Sequence, residues 1–379
     1  MLRPILDNFL PFSLFVLASF FIYQLISYYR ERSRIIALGA SPARVSTWFP
    51  FGLDIIVRNV QAHRQQSDLE FWDWAFSFCK PHHFLTVEIY TFGLRVILTA
   101  DPENIKALLA TQFQDYGKGV KFHEEWEEFL GDGIFNVDHE LWTASRQLLR
   151  PQFTKERVSG LAETFHRHVE VLLERIEDAR GGVVDVADLF YAYTLDVASD
   201  YLFGSSVNSL SGAKSKEELG FIEAFAEVQR HQALLGKVGP FRALLPKKAF
   251  RQAIKTLDEF IYPFVDRVLD SKISEPSSQG SFLQALAATG ERNRKVFRDQ
   301  SINVLLAGRD TTAGTLSFLF LELAKHPTIL AKLRREIQER LGTSAPSYED
   351  LKDMPFLKNC INEILRLYPT VPFNVGPAI

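Results

Sequence analysis

Residues 8–29 carry no charge, and as a helix such a run reaches about 33 Å at ~1.5 Å per residue, enough to cross a bilayer. Arg30, Arg32 and Arg34 follow directly, where a secretory signal would have a shorter apolar core and a small-residue cleavage site. The pattern predicts an uncleaved transmembrane anchor with a basic flank over 1–34, and the positive-inside rule places the following body on the cytosolic side. Over 35–60, Gly39, Ser41, Pro42, Pro50 and Gly52 punctuate the chain too often for a helix and predict a hinge. Two β-rich runs, 84–90 and 94–99 around Gly93, predict a hairpin, and Asp101-Pro102-Glu103 predicts a capped helix through about Leu109. From Trp142 onward helical periodicity dominates, over 158–179, 185–202, 221–235, 249–269, 297–325, 328–341 and 357–367. The fold class is therefore mainly α with a small β element. Polar breaks at 204–215 and 274–281 read as loops inside one body over 61–379.

Composition narrows the functional classes. With 43 Lys+Arg against 46 Asp+Glu there is no basic footprint for nucleic acid. The only cysteines, Cys79 and Cys360, lie far apart, which excludes a disulfide framework or a cysteine-rich zinc site and suits a thiol-reducing compartment. Aromatic content is dominated by 32 Phe beside 5 Trp and 11 Tyr, so most aromatic surface has no polar handle. That predicts a Phe-packed core, with an apolar ligand cavity as the alternative.

Three motifs carry candidate chemistry. Residues 305–314 lie in a long apolar stretch of helical period, yet include Gly308, Asp310, Thr311, Thr312 and Gly314. Glycines cost about 1 kcal/mol each in a helix, and the short polar side chains compete for backbone hydrogen bonds. Either a functional site interrupts the helix or Asp310 or Thr311 caps a fresh one. Glu363 and Arg366, three apart, share a helix face and can pair, as many solvated surface pairs do. Trp142 and Arg146, with Arg150 four further on, present an indole N–H and guanidinium groups suited to carboxylates or phosphates; a Trp on the core beside a surface Arg fits the same spacing.

Taken in order, a tryptophan-x3-arginine helix, an A-G-x-D-T-T helix and an E-x-x-R helix ending in tyrosine-proline, behind an anchor and a proline hinge, resemble a microsomal cytochrome P450. The wording around Leu305–Ala313 and after Leu365 resembles in particular the fungal alkane and fatty-acid hydroxylase branch. The resemblance implies a cytochrome P450 fold, heme as cofactor, electrons from NADPH through a partner flavoprotein reductase, an apolar small-molecule substrate and an endoplasmic reticulum location. It implies that Trp142 and Arg146 hold a heme propionate and that Ala307 and Gly308 let the long helix open beside the oxygen. Asp310 and Thr311 would supply protons for oxygen activation, and Glu363 and Arg366 would pair in the structural core. The family's iron ligand sits in a late F-x-x-G-x-R-x-C-x-G loop, for which no counterpart follows Arg366 in a sequence ending at Ile379. Cys79 and Cys360 read as ordinary buried thiols. The expectation is thus a fold incomplete at its C-terminus, with no metal ligand; the alternative function is a heme-deficient, non-catalytic fragment or interaction protein.

Overall fold

The computed structural model describes residues 3–39, 43–79, 85–92, 94–212, 214–271, 280–374 and 376, which divide into two compact units within the body expected as one. The first holds residues 1–113 and 231–245. It contains α1 (Arg3–Ala37), β1 (Ala43–Arg44), α2 (Leu53–Arg64), α3 (Asp68–Ser77), β2 (Thr86–Thr91), β3 (Leu94–Thr99) and α4 (Pro102–Lys106). The expected hairpin is present: β2 and β3 pair antiparallel from Thr86 opposite Thr99 to Thr91 opposite Leu94, and β1 adds in parallel at Val87 and Glu88. Phe84 and Gly93, named for that hairpin, lie outside the described residues. Ala43, Val45, Ile55, Phe71, Val87 and Ile89 form this unit's core. The Asp101 carboxylate caps α4 by accepting the N–H groups of Glu103 and Asn104, as the Asp-Pro-Glu signature predicts.

One expectation is corrected within 35–60, where α2 begins at Leu53 inside the segment read as hinge. Pro50 and Gly52 do break the chain, but Ile55, Ile56 and Ala62 bury, so the helix forms immediately beyond them. Ser41 and Pro42 lie outside the described residues. Among the described residues no helix is long and apolar enough to cross a membrane. The expected span includes positions 8–14, 16, 17 and 24, whose side chains lie outside the described residues.

The second unit, residues 114–230 and 246–379, is helical. It comprises α5 (Gly119–Leu130), α6 (His139–Leu149), α7 (Lys155–Ser159), α8 (Ala162–Glu177), α9 (Val186–Phe203) and the first part of α10 (Lys216–Val238). Then follow α11 (Lys248–Asp270), α12 (Phe282–Ala288), α13 (Arg294–Lys325), α14 (Pro327–Leu341), α15 (Tyr348–Lys352) and α16 (Pro355–Leu367). On α11, Phe250, Ala253, Leu257, Ile261, Val265 and Val268 recur at three- and four-residue steps and bury as one stripe. They meet Phe129, Phe221, Phe225, Phe282 and Phe297 from α5, α10, α12 and α13, so phenylalanine fills this core as the composition predicts.

Candidate active site

Helix α13 runs unbroken from Arg294 to Lys325, which removes the reading that Asp310 or Thr311 caps a new helix. Part of its polar middle is satisfied within the helix. The hydroxyls of Thr311, Thr315 and Ser317 donate to the carbonyls four residues back, at 2.7, 2.8 and 2.7 Å. Gly314 admits a crossing segment, since a Cβ there would stand 3.2 Å from the Thr370 methyl.

Beside the first half of this helix lies a cavity of about 630 Å³, within the range of small-molecule sites. Asn303, Val304, Ala307, Gly308 and Thr312 line it from α13, and Tyr193, Val197 and Ala198 from the adjoining α9. Arg146 and Arg150 bring two guanidinium groups to the rim, and Phe135, Phe153 and Phe165 supply apolar surface. A Cβ on Gly308 would meet Ala198 at an ordinary 3.7 Å, so α9 packing alone does not demand glycine; its bareness enlarges the cavity. Burial pushes the Tyr193 phenol up to about 12 and the Tyr201 phenol upward as well, so both remain neutral donors.

Two buried contacts hold these walls. The Gln300 carboxamide donates to the Ser145 hydroxyl at 3.0 Å, fixing α6 on α13 one residue from Arg146. Asn303 donates to the Leu130 carbonyl at 2.9 Å and accepts from the Phe135 N–H at 3.0 Å, which seats the 131–135 loop against α13.

Six of the sequence-predicted residues fall in or next to this arrangement, and two do not. Arg146, Ala307 and Gly308 line the cavity. Trp142 stands one turn from Arg146, its ring centroid 5.3 Å from the Arg146 Cζ. Thr311 adjoins the wall, while its neighbour Thr312 is the one that lines it. Asp310 is turned toward Arg309, which donates to it at 2.8 Å, and toward Gln229. Burial raises the Asp310 pKa, opposed by the Arg309 charge and the hydrogen bonds.

Glu363 and Arg366 pair through two bonds of 2.7 Å, but on an exposed face and not in a core. The cause is helical phase: Cys360, Ile361 and Ile364 turn inward onto Leu319, Leu323 and Leu333, which leaves the pair outward. Arg150 and Thr312 stand in the sequence motifs without a site role of their own, and Ile134, Phe135 and the Gln300 and Asn303 contacts have no motif in the sequence. Gln300 and Asn303 could have been flagged as buried-phase polar residues upstream of the Gly308 motif.

A cytochrome P450 family model matches residues 59–376, and the chain belongs to the cytochrome P450 family, whose members are heme-dependent monooxygenases. It is 40% identical to the cytochrome P450 monooxygenase pvhE of Talaromyces variabilis, over 94% of this chain and 69% of that protein. To cytochrome P450 52A13 of Debaryomyces hansenii it is 36% identical, over 95% of this chain and 71% of the relative. Cytochrome P450 52A4 of Candida maltosa is 40% identical, over 76% of this chain and 56% of its own length. The fold resembles the crystal structure of the cytochrome P450DA heme domain with a TM-score of 0.72 at 21% identity, over 86% of this chain and 70% of that one.

The cavity can be tested against the heme this family implies. Its apolar walls suit a flat macrocycle, and Arg146 and Arg150 suit two carboxylates. Among the described residues the lining holds no Cys, His or Met, and burial keeps its Tyr193 and Tyr201 phenols neutral, so these residues fit the periphery of the group. Burial raises the pKa of both the Cys79 and Cys360 thiols, away from thiolate.

Proposed function

We propose that this chain is the anchored body of a monooxygenase that inserts one oxygen atom of O2 into a long aliphatic substrate, an alkane or fatty acid, while the other oxygen is reduced to water. The observation that carries the reading is the cavity itself, with its small-residue helix wall at Ala307 and Gly308 and guanidinium groups at Arg146 and Arg150. Heme, when bound, supplies the oxygen activation. Arg146, braced by Trp142, holds a propionate through charge-assisted hydrogen bonds. Phe135, Phe153 and Phe165 offer apolar surface for an alkyl chain to cover. On α13, Thr312 at the cavity wall, with Thr311 beside it and the Asp310 carboxyl held behind it by Arg309 and Gln229, holds and passes protons at hydroxyl and carboxyl oxygens. Electrons arrive singly from NADPH through a separate flavoprotein reductase. The resemblance to the alkane and fatty-acid branch, and relatives of the 52A group, support the aliphatic substrate.

The anchor belongs to the same proposal. On α1, Phe15, Phe20, Phe21, Ile22, Leu25 and Ile26 are all exposed, a surface that water does not favour and lipid does. With Arg30, Arg32 and Arg34 beyond them, the body faces the cytosol from the endoplasmic reticulum membrane. One observation favours a second reading, a heme-deficient interaction protein: neither cysteine is among the cavity-lining residues. Microsomes carrying the protein, its heme and a reductase decide between them. Oxidised long-chain product formed at NADPH expense is expected. Turnover restricted to polar or aromatic compounds would refute the substrate, and no turnover with no heme retained would favour the second reading.

A further inference from the structure

Arg309 is the one residue of the Gly308–Thr312 stretch to which the proposed chemistry gives no task. Adjacent helical residues do not face each other, so partners outside the helix help to hold the Arg309 and Asp310 side chains together. Here α9 and the unit-two part of α10 do so. The Arg309 Cζ lies 5.1 Å from the Tyr191 ring centroid and 5.4 Å from that of Phe225, so the guanidinium sits between two aromatic rings. From there Nη1 donates to the Asp310 Oδ1 at 2.8 Å and to the Gln229 Oε1 at 2.9 Å. The Gln229 Nε2 donates in turn to the other Asp310 oxygen, which closes a ring of three side chains. Both ends of the Gln229 amide are used, so its orientation is set by the network.

We propose that Arg309 is the positioning residue of Asp310: held between Tyr191 and Phe225, and joined through Gln229, it fixes the direction and charge of that carboxylate. The inference rests on the reading of Asp310 as a proton carrier. A packing role alone would be served as well by an apolar side chain between the two rings, and would leave no reason for Gln229 to bond both partners. The groups facing Asp310 are Arg309 on its own helix, the Tyr191 phenol from α9 and the neutral Gln229 from α10. Among them Arg309 is the cation, and its removal leaves burial opposed by the Gln229 hydrogen bond alone.

The test is the infrared titration of the Asp310 carboxyl in the 379-residue chain, assigned by subtracting the spectrum of Asp310→Asn. Arg309→Leu, which keeps bulk between the rings, is expected to move the titration up by about one unit or more, the effect of losing an adjacent cation. Arg309→Lys should move it less than Leu does, and Gln229→Leu should move it up while leaving far-ultraviolet dichroism unchanged. An unmoved titration in folded Arg309→Leu overturns the proposal. If that variant does not fold, unmoved titrations in both Arg309→Lys and Gln229→Leu overturn it. The proton-carrier reading fails separately, if Asp310→Asn in the heme-loaded enzyme leaves product formed per oxygen consumed at the parent value.

Discussion

Gly131 terminates α5 with φ +56 and ψ −142, and Gly342 terminates α14 with φ +60 and ψ −113. The two share a backbone that L side chains rarely adopt and differ in what surrounds them. A Cβ on Gly342 meets nothing within 4 Å, whereas on Gly131 it would stand 2.0 Å from the Asp299 Cγ and 2.1 Å from one carboxylate oxygen. Asp299 cannot withdraw: it is buried, accepts from the Asp132 N–H and Lys295 at 2.9 Å each, and is bound by Arg298 at 3.2 Å. Gly342→Ala therefore costs the backbone strain alone, about 1–3 kcal/mol. Gly131→Ala adds overpacking of about 1–3 kcal/mol and the loss of a buried charged hydrogen bond of about 1.5–3 kcal/mol. A gap of about 2.5–6 kcal/mol between the variants is expected, and the 131–135 loop that brings Ile134 and Phe135 to the cavity should loosen with it. Equilibrium urea unfolding by far-ultraviolet dichroism measures the gap as a shift in midpoint at constant slope. Equal midpoints for the two alanine variants would show that Asp299 yields freely and would refute the reasoning.

Much of this organisation was legible because it follows from periodicity. The stripe on α11 repeats apolar residues at helical period and buries, and the β-rich runs either side of the turn pair as the hairpin. The Asp-Pro-Glu cap was legible because its hydrogen bonds are local. The cavity was not, since its wall draws Arg146 from α6, Val197 from α9 and Gly308 from α13, positions related only by packing. Glu363 and Arg366 show the limit from the other side. Their spacing guaranteed a pair, but whether it lay in a core depended on what Ile364 and Cys360 found inside, which is a tertiary fact. Asn303 and Asp299 sit about one and a half and two and a half turns before Gly308, so their polarity was readable while their partner, the 131–135 loop, lay too distant in sequence to identify.

Three further outcomes are expected. Thr311→Ala in the heme-loaded enzyme should lower product formed per oxygen consumed, measured by oxygen electrode against product yield; unchanged coupling would remove Thr311 from the mechanism. Asp132 and Glu128 are held below the usual carboxylate range, chiefly by hydrogen bonds from Lys295 and Arg251. A depressed carboxyl stabilises the fold above its unfolded pKa of about 4 and loses that contribution as pH falls through the folded value. Lys295→Met should therefore be less stable than the parent near pH 7, the difference narrowing below about pH 4, and a pH-independent difference would refute the assignment. The last outcome concerns the iron. Cys360 packs with Ile364, Leu333 and Leu319, Cys79 belongs to the core around Phe71 and Val87, and burial raises both thiols away from thiolate. Tyr193 and Tyr201, which do line the cavity, are held neutral by burial and are poor anionic ligands. Heme added to residues 1–379 should thus be held through its propionates at Arg146 and Arg150 and give no thiolate signature. The reduced carbon monoxide difference spectrum reads this directly: a band at about 450 nm that vanishes in Cys360→Ala or Cys79→Ala would show that one of these thiols reaches the iron and that the cavity described is not where heme binds.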